Sequence, residues 1–257
     1  LLQRRWVPAQ VVVDHVPAPD EVVRLRDYRL EQGGMVATAL AAVARLGGTA
    51  EFIGAVGDDH NGSFALARFA QTGVLTPRVQ IVPGAVSAFS FVIVEGASGR
   101  RSIIHEPGVQ RLSRLPGPPL DLAGAGFLHL DGFWIETAIE AARQAKALGL
   151  PICLDVGQNQ AHPRIGELLG LADFLAPSLA FSRRYTGSAD PREAARRLLA
   201  CGAGAVIQTV GGQGALVATA AGEEYSVSAF PVRVVDTTGA GDSFHGAWMN
   251  FAGTPAS

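Results

Sequence analysis

Cysteine is scarce in this chain: Cys153 and Cys201 are the only two among 257 residues, and they stand apart from any C-x-x-C spacing. A disulfide framework and a zinc module are thereby excluded, and a reduced, cytoplasmic setting is the expectation. No stretch reaches the roughly 20 apolar residues of a membrane span, and the opening Leu1-Leu2-Gln3-Arg4-Arg5-Trp6 lacks the apolar run of a signal peptide. A soluble, unexported protein is expected. Charge of one sign is also missing, since 21 Lys and Arg face 23 Asp and Glu for a formal net charge of -2. Without a broad basic field there is nothing to attract nucleic acid or an anionic membrane surface, so an anionic ligand must be held by a local site. No G-x-x-x-x-G-K-[ST] loop, internal repeat, low-complexity tract or linker occurs. What is there is a globular balance, 48% hydrophobic and 17% charged. That is enough for one large α/β domain over residues 1–257.

From about Gly34 onward, apolar runs alternate with Ala/Leu/Arg-rich stretches of helical period, as strands and helices do around a mostly parallel sheet. The pattern predicts helices over Met35 to Leu46, Phe64 to Thr72, Ile135 to Leu148, Pro163 to Leu169, Pro191 to Cys201 and Asp242 to Phe251. Strands are expected over Glu51 to Val56, Gly126 to Leu130, Pro151 to Asp155, Phe174 to Ala176, Ala205 to Thr209 and Val232 to Val235, with a hairpin-like pair around Ala221-Gly222. Between Val79 and His105 the pattern changes: Ala88 to Val94 and Arg100 to His105 flank the turn Ala97-Ser98-Gly99 as a hairpin. With Val11 to Val13 and Glu21 to Tyr28 they are expected to form a small separate sheet, a lid within 11–30 and 88–105. An uncovered face on such a sheet would favour pairing with a second subunit, a homodimer.

Gly239-Ala240-Gly241 stands where the expected strand ends and the last helix begins. Small residues there let the backbone approach a ligand, and the first-turn N–H groups with the helix dipole form an anion site. Asp242 at the helix start either caps its own helix or accepts the proton of an attacking hydroxyl. The whole run Val235-Asp236-Thr237-Thr238-Gly239-Ala240-Gly241-Asp242-Ser243-Phe244 resembles the C-terminal signature of the ribokinase-like (PfkB) carbohydrate kinases. The resemblance implies a three-layer α/β/α fold with a mostly parallel sheet and a small β lid. It also implies ATP-dependent phosphoryl transfer to a sugar, Asp242 as the base, and the amides of Gly239, Ala240 and Gly241 around the γ-phosphate. Asp236 and Thr238 match positions that bind a monovalent cation, K+, in some members, and Mg2+ accompanies the nucleotide.

Three further segments fit the same family. Val206 to Ala215 is a strand entering a Gly-rich turn, which by resemblance makes Thr209, Gly211 and Gly214 contacts of ATP. Gln32-Gly33-Gly34 and Arg45-Leu46-Gly47 with Gly54 to Gly62 resemble the N-terminal signature, where Gly33 and Gly34 lie against sugar hydroxyls. Asp131, after Leu128-His129-Leu130, ends a strand at the carboxyl edge where α/β sheets place ligands, and matches a sugar-contacting position. Arg101 and His105, after the lid turn, are within the part of the chain that could reach a substrate phosphate or carboxylate.

The pattern departs from the family at four places. Thr38 stands where many members have a sugar-binding asparagine, and Ser178-Leu179-Ala180-Phe181 replaces the N-x-x-E motif that helps arrange metal and phosphates. The first strand and its substrate-binding aspartate are expected near Pro8, where the sequence shows neither. The chain stops at Ser257, short of segments that close the adenine pocket and cation site, so little potassium activation and weak ATP affinity are expected. The readings kept open are a sugar kinase acting on a primary hydroxyl, a nucleoside kinase of the same type, and a catalytically weak ligand-binding or assembly homologue.

Overall fold

The computed structural model describes residues 2–3, 7–157, 162–234 and 237–252. Its first half runs β1 (Leu2–Gln3), β2 (Val7–Val13), β3 (Asp27–Leu30), α1 (Met35–Arg45), β4 (Ile53–Gly57), α2 (His60–Thr72), β5 (Gln80–Val82), β6 (Phe89–Glu95) and β7 (Arg101–Glu106). It continues with β8 (Leu128–Leu130), α3 (Ile135–Ala147), β9 (Ile152–Val156), α4 (Ile165–Leu171), β10 (Phe174–Pro177), α5 (Leu179–Thr186) and α6 (Pro191–Leu199). The last elements are β11 (Ala205–Thr209), β12 (Ala215–Thr219), β13 (Glu224–Val227) and α7 (Ala240–Ala252). Two compact units result: Leu1–Gln3, Ser113–Val232 and Ala247–Ser257 form one, and Arg4–Leu112 with Arg233–Gly246 form the other.

The first unit is built on strands in the order β13-β12-β11-β10-β9-β8-β1. The neighbours from β1 to β11 are parallel, and β11-β12-β13 is an antiparallel meander. β8 and β9 are buried at every position and are mostly apolar, with His129 and Asp155 as their buried polar members. Trp248, in the C-terminal half of α7, packs edge-on against Phe174 with ring centroids 4.9 Å apart, and Phe127 lies 6.3 Å from the same indole. Local signals mark both ends of α6, and Ala194, Ala195 and Leu198 form its buried side. Asp190 accepts a hydrogen bond from the Arg192 N–H at 3.0 Å, Pro191 opens the first turn, and Arg196 and Arg197 close the last.

In the second unit β4 and β5 pair in parallel beside α1 and α2, while four strands form a sheet of their own in the order β3-β2-β6-β7. The expected small sheet is present with altered edges. Its third segment is shorter than Glu21 to Tyr28, because β2 ends at Val13 and leaves residues before Arg26 no strand to join; Val22 is 97% exposed. Successive residues point to opposite faces of a strand, so the register sorts the side chains. Leu30, Ala9, Phe91 and Ile104 form one row across the sheet, and Tyr28, Val11, Ile93 and Ser102 the next row on that face. The opposite face carries Arg29, Gln10, Val92 and Ile103 in one row and Asp27, Val12, Val94 and Arg101 in another. The first face is apolar in these central rows, with Glu95 and Glu106 towards its ends, and the other is mixed and charged.

Three expectations are corrected. The first strand is not at Pro8: β1 lies earlier, pairing Leu2 with Leu130, and Pro8 belongs to β2 of the small sheet. Residues 228–234 are irregular, so Val232 to Val234 form no strand; Val232 and Val234 are 72% and 65% exposed. β-branched composition favours a strand only where a neighbour and a buried face exist. The Ser178-Leu179-Ala180-Phe181 segment opens a helix, α5, that periodicity did not show. Ser178 caps it through a 3.2 Å bond from the Phe181 N–H, and Gly187 ends it at φ 73°.

Candidate active site

The second unit holds the junction of α1 and α7, and small residues set it. α1 is Met-Val-Ala-Thr-Ala-Leu-Ala-Ala-Val-Ala-Arg, with Val36, Ala37, Ala39 and Leu40 buried. A Cβ added at Gly246 of α7 would stand 2.1 Å from the Ala39 carbonyl oxygen, so the two helix backbones meet with no room for a side chain. This crossing brings the turn before α7 onto Thr38. A Cβ at Gly239, itself at φ 73°, would lie 3.1 Å from Thr38 Cγ2, 3.9 Å from Thr38 Oγ1 and 4.0 Å from Asp242 Oδ2. The Thr38 hydroxyl and the Asp242 carboxylate therefore converge over Gly239.

α7 begins at Ala240, with its first turn formed by Ala240, Gly241 and Asp242; the Ser243 N–H reaches the Gly239 carbonyl at 2.8 Å. The Ala240 N–H bonds the Thr237 carbonyl at 3.3 Å, and the start of a helix is a place that favours an anion. The start of α1 is similar. Gly34 sits at φ 105° and ψ 141° as its N-cap without a capping side chain, and the Thr38 N–H bonds its carbonyl at 2.9 Å. Only glycine adopts that φ without strain. Gln32, next to Gly33 and Gly34, has both side-chain amide atoms buried without a protein hydrogen-bond partner. The pattern of residue types gives Gln32 no role, since only its burial reveals it.

From the small sheet, Arg101 at the start of β7 donates through Nη1 to Thr237 Oγ1 at 3.1 Å. His105 is differently placed. Its Nδ1 lies 2.9 Å from Ser90 Oγ and its Nε2 3.0 Å from Gln110 Oε1, so it ties β7 to β6 and to the turn that follows. Asp236 lies outside the described residues, while Thr238 is in the turn leading to α7.

The first unit holds the other candidates. Thr209 ends β11 and bridges to Ser178; a short 3-10 turn, Gly211–Gln213, follows, closed by a bond from the Val210 N–H to the Gly214 carbonyl at 2.9 Å. The glycines divide by role. At Gly214 (φ 102°) a Cβ would fall 1.9 Å from the Val227 carbonyl oxygen, so this glycine is required by the hairpin itself. Gly211 (φ 62°) and Gly212 have nothing within 4 Å of a built Cβ, leaving their backbone open to a ligand. Asp131 is 1% exposed at the carboxyl end of β8, its Oδ1 accepting from the Phe133 N–H at 3.1 Å. It is a buried carboxylate rather than a surface-loop acid. Asp155, at the corresponding end of β9, is 3% exposed and was not singled out from sequence.

A family model, pfkB family carbohydrate kinase, matches residues 8–252. The chain belongs to this family. The kinase is 32% identical over 244 residues to a protein named ATP-dependent ribose-1-phosphate kinase from Halopiger xanaduensis, covering 90% of this chain and 77% of the relative. It is 30% identical over 270 residues to an aminoimidazole riboside kinase of Salmonella typhimurium, covering 96% and 80%. Among solved structures, an Arabidopsis thaliana ribokinase complexed with ribose and ATP superposes with a TM-score of 0.83 at 25% identity, over 100% of this chain and 86% of that one. The fold is ribokinase-like α/β and the protein is a carbohydrate kinase. Among the described residues no helix is long and apolar enough to cross a membrane.

Proposed function

We propose that the kinase transfers the γ-phosphoryl group of ATP to a hydroxyl of a sugar or sugar-like acceptor, with Asp242 as general base. The observation that carries this is the convergence of Thr38 Oγ1 and the Asp242 carboxylate on Gly239 at the start of α7. A hydroxyl lying between them would lose its proton to Asp242 as it attacks phosphorus. The Gly239, Ala240 and Gly241 amides would hold the charge that develops on the transferred group. In the second unit Gly33, Gly34 and Thr38 are the candidates for acceptor contacts; in the first unit the candidates are Asp131 for the acceptor and Thr209, Gly211 and Gly214 for the nucleotide. Thr38 in place of an asparagine exchanges an amide for a hydroxyl, and so changes which acceptor hydroxyls are read.

Among the described residues no group of three His, Cys, Asp or Glu would hold a metal ion on its own. A magnesium ion would therefore arrive on the nucleotide's phosphates and neutralise their charge, as is usual for this cation. Thr238, with Asp236, is assigned to a monovalent cation, tested by titrating potassium against sodium in the turnover assay.

The test is ADP release with ATP and a panel of sugars and nucleosides, the nucleosides deciding whether a base is tolerated on the ribose. Asp242→Asn is expected to lower kcat by on the order of 10²–10⁴ with ATP affinity retained. An unchanged kcat would remove Asp242 from the role, and no ATP binding at millimolar concentration would favour a non-catalytic homologue. The apolar sheet face supports a homodimer: Tyr28, Leu30, Phe91 and Ile104 on it are 53%, 39%, 42% and 63% exposed. Ile104→Asp is expected to yield monomers in sedimentation, and a wild-type monomer would exclude the pairing.

A further inference from the structure

Gln32 stands between two anchored residues at the entry to α1. Glu31 before it is held by Arg68 of α2, whose Nη2 donates to Glu31 Oε2 at 2.7 Å. Gly34 after it opens α1, and its carbonyl accepts from the Thr38 N–H at 2.9 Å. All of these residues, with Gly239 and Asp242, belong to the second unit. Gln32 is part-buried, yet its amide oxygen and nitrogen are both withdrawn from solvent, and among the described residues neither has a hydrogen-bond partner. The same unit completes an amide elsewhere: Gln110, 4% exposed, meets His105 Nε2 through its Oε1 at 3.0 Å. Gln208 in the first unit is also bare, but it is 0% exposed within β11, with no surface open to a ligand. A primary amide carries two N–H donors and a carbonyl acceptor, and burying them unpaired is costly.

We propose that Gln32 is a specificity-determining residue whose amide reads two hydroxyls of the acceptor, donating to one and accepting from the other. This rests on the kinase reading above. Hydrogen-bonding chemistry decides the class of ligand. A carboxylate or phosphate dianion only accepts and would leave the Gln32 carbonyl bare, while an ammonium only donates and would leave the N–H groups bare. Hydroxyls do both, so a polyhydroxyl compound completes both ends of the amide. The position suits one. Gln32 lies directly before Gly33 and Gly34, and one helical turn separates Gly34 from Thr38, whose hydroxyl converges with the Asp242 carboxylate over Gly239. With Glu31 and Gly34 tied on either side, the backbone of Gln32 is fixed before a ligand arrives, so little ordering remains to oppose binding.

Calorimetric titration without ATP tests this on the wild type and on Gln32→Met, which keeps an unbranched side chain of similar length and removes both hydrogen-bonding ends. Ribose, fructose and adenosine are each compared with analogues lacking one hydroxyl. Removing a hydroxyl that the amide reads is expected to weaken binding to the wild type by about 10-fold, the scale of one or two neutral hydrogen bonds. Gln32→Met should bind the complete compound about 10-fold more weakly than the wild type does, and no longer distinguish it from that analogue. ATP affinity should stay at the wild-type value, and Tm should not fall, because an unpaired buried amide gives way to an apolar group. Gln32→Asn, which withdraws the amide by one methylene, should show the same loss of affinity and serves if Gln32→Met does not fold. Three results overturn the assignment: unchanged affinity in the variants, which would mean that water alone completes the amide; loss of acceptor and ATP binding together with a lowered Tm, which would make Gln32 a structural residue; or no binding of ribose, fructose or adenosine by the wild type at millimolar concentration. ADP release is then measured with the same compounds. Gln32-dependent binding without turnover would leave the hydroxyl assignment standing and remove the kinase reading.

Discussion

Gly246 shows how one missing side chain sets the site. In the interior of a helix, Gly→Ala ordinarily stabilises by roughly 0.5–1 kcal/mol through propensity. Here the added methyl would meet the Ala39 carbonyl oxygen at 2.1 Å, a backbone atom that cannot swing away. Forcing extra atoms into a filled space costs about 1–3 kcal/mol, so repulsion exceeds the propensity gain. Gly246→Ala is expected to lower Tm. Pushing α7 from α1 would also part Gly239 from Thr38, so kcat should fall along with stability. A variant with raised Tm and wild-type kcat would show that the crossing is looser than the backbone distances state. Gly246 could not be picked out from sequence, where it is one of 31 glycines. Gly239, directly after the paired threonines of the motif, could.

At the scale of elements, α2 depends on a capping network that couples it to the loop before β6. Asp59 Oδ1 accepts from the Gly62 N–H at 2.8 Å and from Ser87 Oγ at 2.5 Å, and Oδ2 accepts from the Ser87 N–H at 2.9 Å. Partial burial by itself raises the carboxyl's pKa, but the Ser87 side-chain and backbone bonds and the Gly62 amide together outweigh it and hold the group below its ordinary value. A carboxylate with a lowered folded-state pKa stabilises the fold fully above its unfolded value of ~3.9, and loses that contribution as pH falls through the folded value. Asp59→Asn is therefore expected to be less stable than wild type near neutrality by about 1 kcal/mol, the scale of a lost cap interaction. The difference should shrink as chemical denaturation is repeated at progressively lower pH below 4. A gap that stays constant with pH would mean that the bonds, and not the charge, carry the effect. The same scale shows where periodicity succeeds and fails. α3, β9 and β11 were legible because each buries a continuous run or stripe. α5 was not, since it has eight residues and a single large buried apolar side chain, Phe181. Val232 to Val234 misled because valines there have no strand to pair with and stay exposed.

For the molecule as a whole, the two thiols report separate levels of opening. Cys153 is fully buried in β9, and burial, with the charge of Asp155 two residues on, pushes its thiol well above the ordinary range. Cys201 is partly exposed after α6 and bonds Tyr185. Since the thiolate is the reactive form, a thiol reagent should label Cys201 in the native protein and Cys153 only through unfolding. Cys201→Ser should abolish the fast phase, and fast labelling that persists in this variant would show that the β9 layer opens locally. The sequence alone determined the alternation of strands and helices, the small separate sheet, and the family through the run from Asp236 to Asp242. These are written in local order, as apolar period, turn glycines and a contiguous motif. Only tertiary structure decided that Gly239 rests on Thr38, that Arg101 reaches Thr237, that Gly214 is a hairpin glycine while Gly211 stays open, and that Asp131 is buried. Each of these joins residues far apart in the chain, or turns on the close approach of two backbones, and neither leaves a mark on the spacing of residue types.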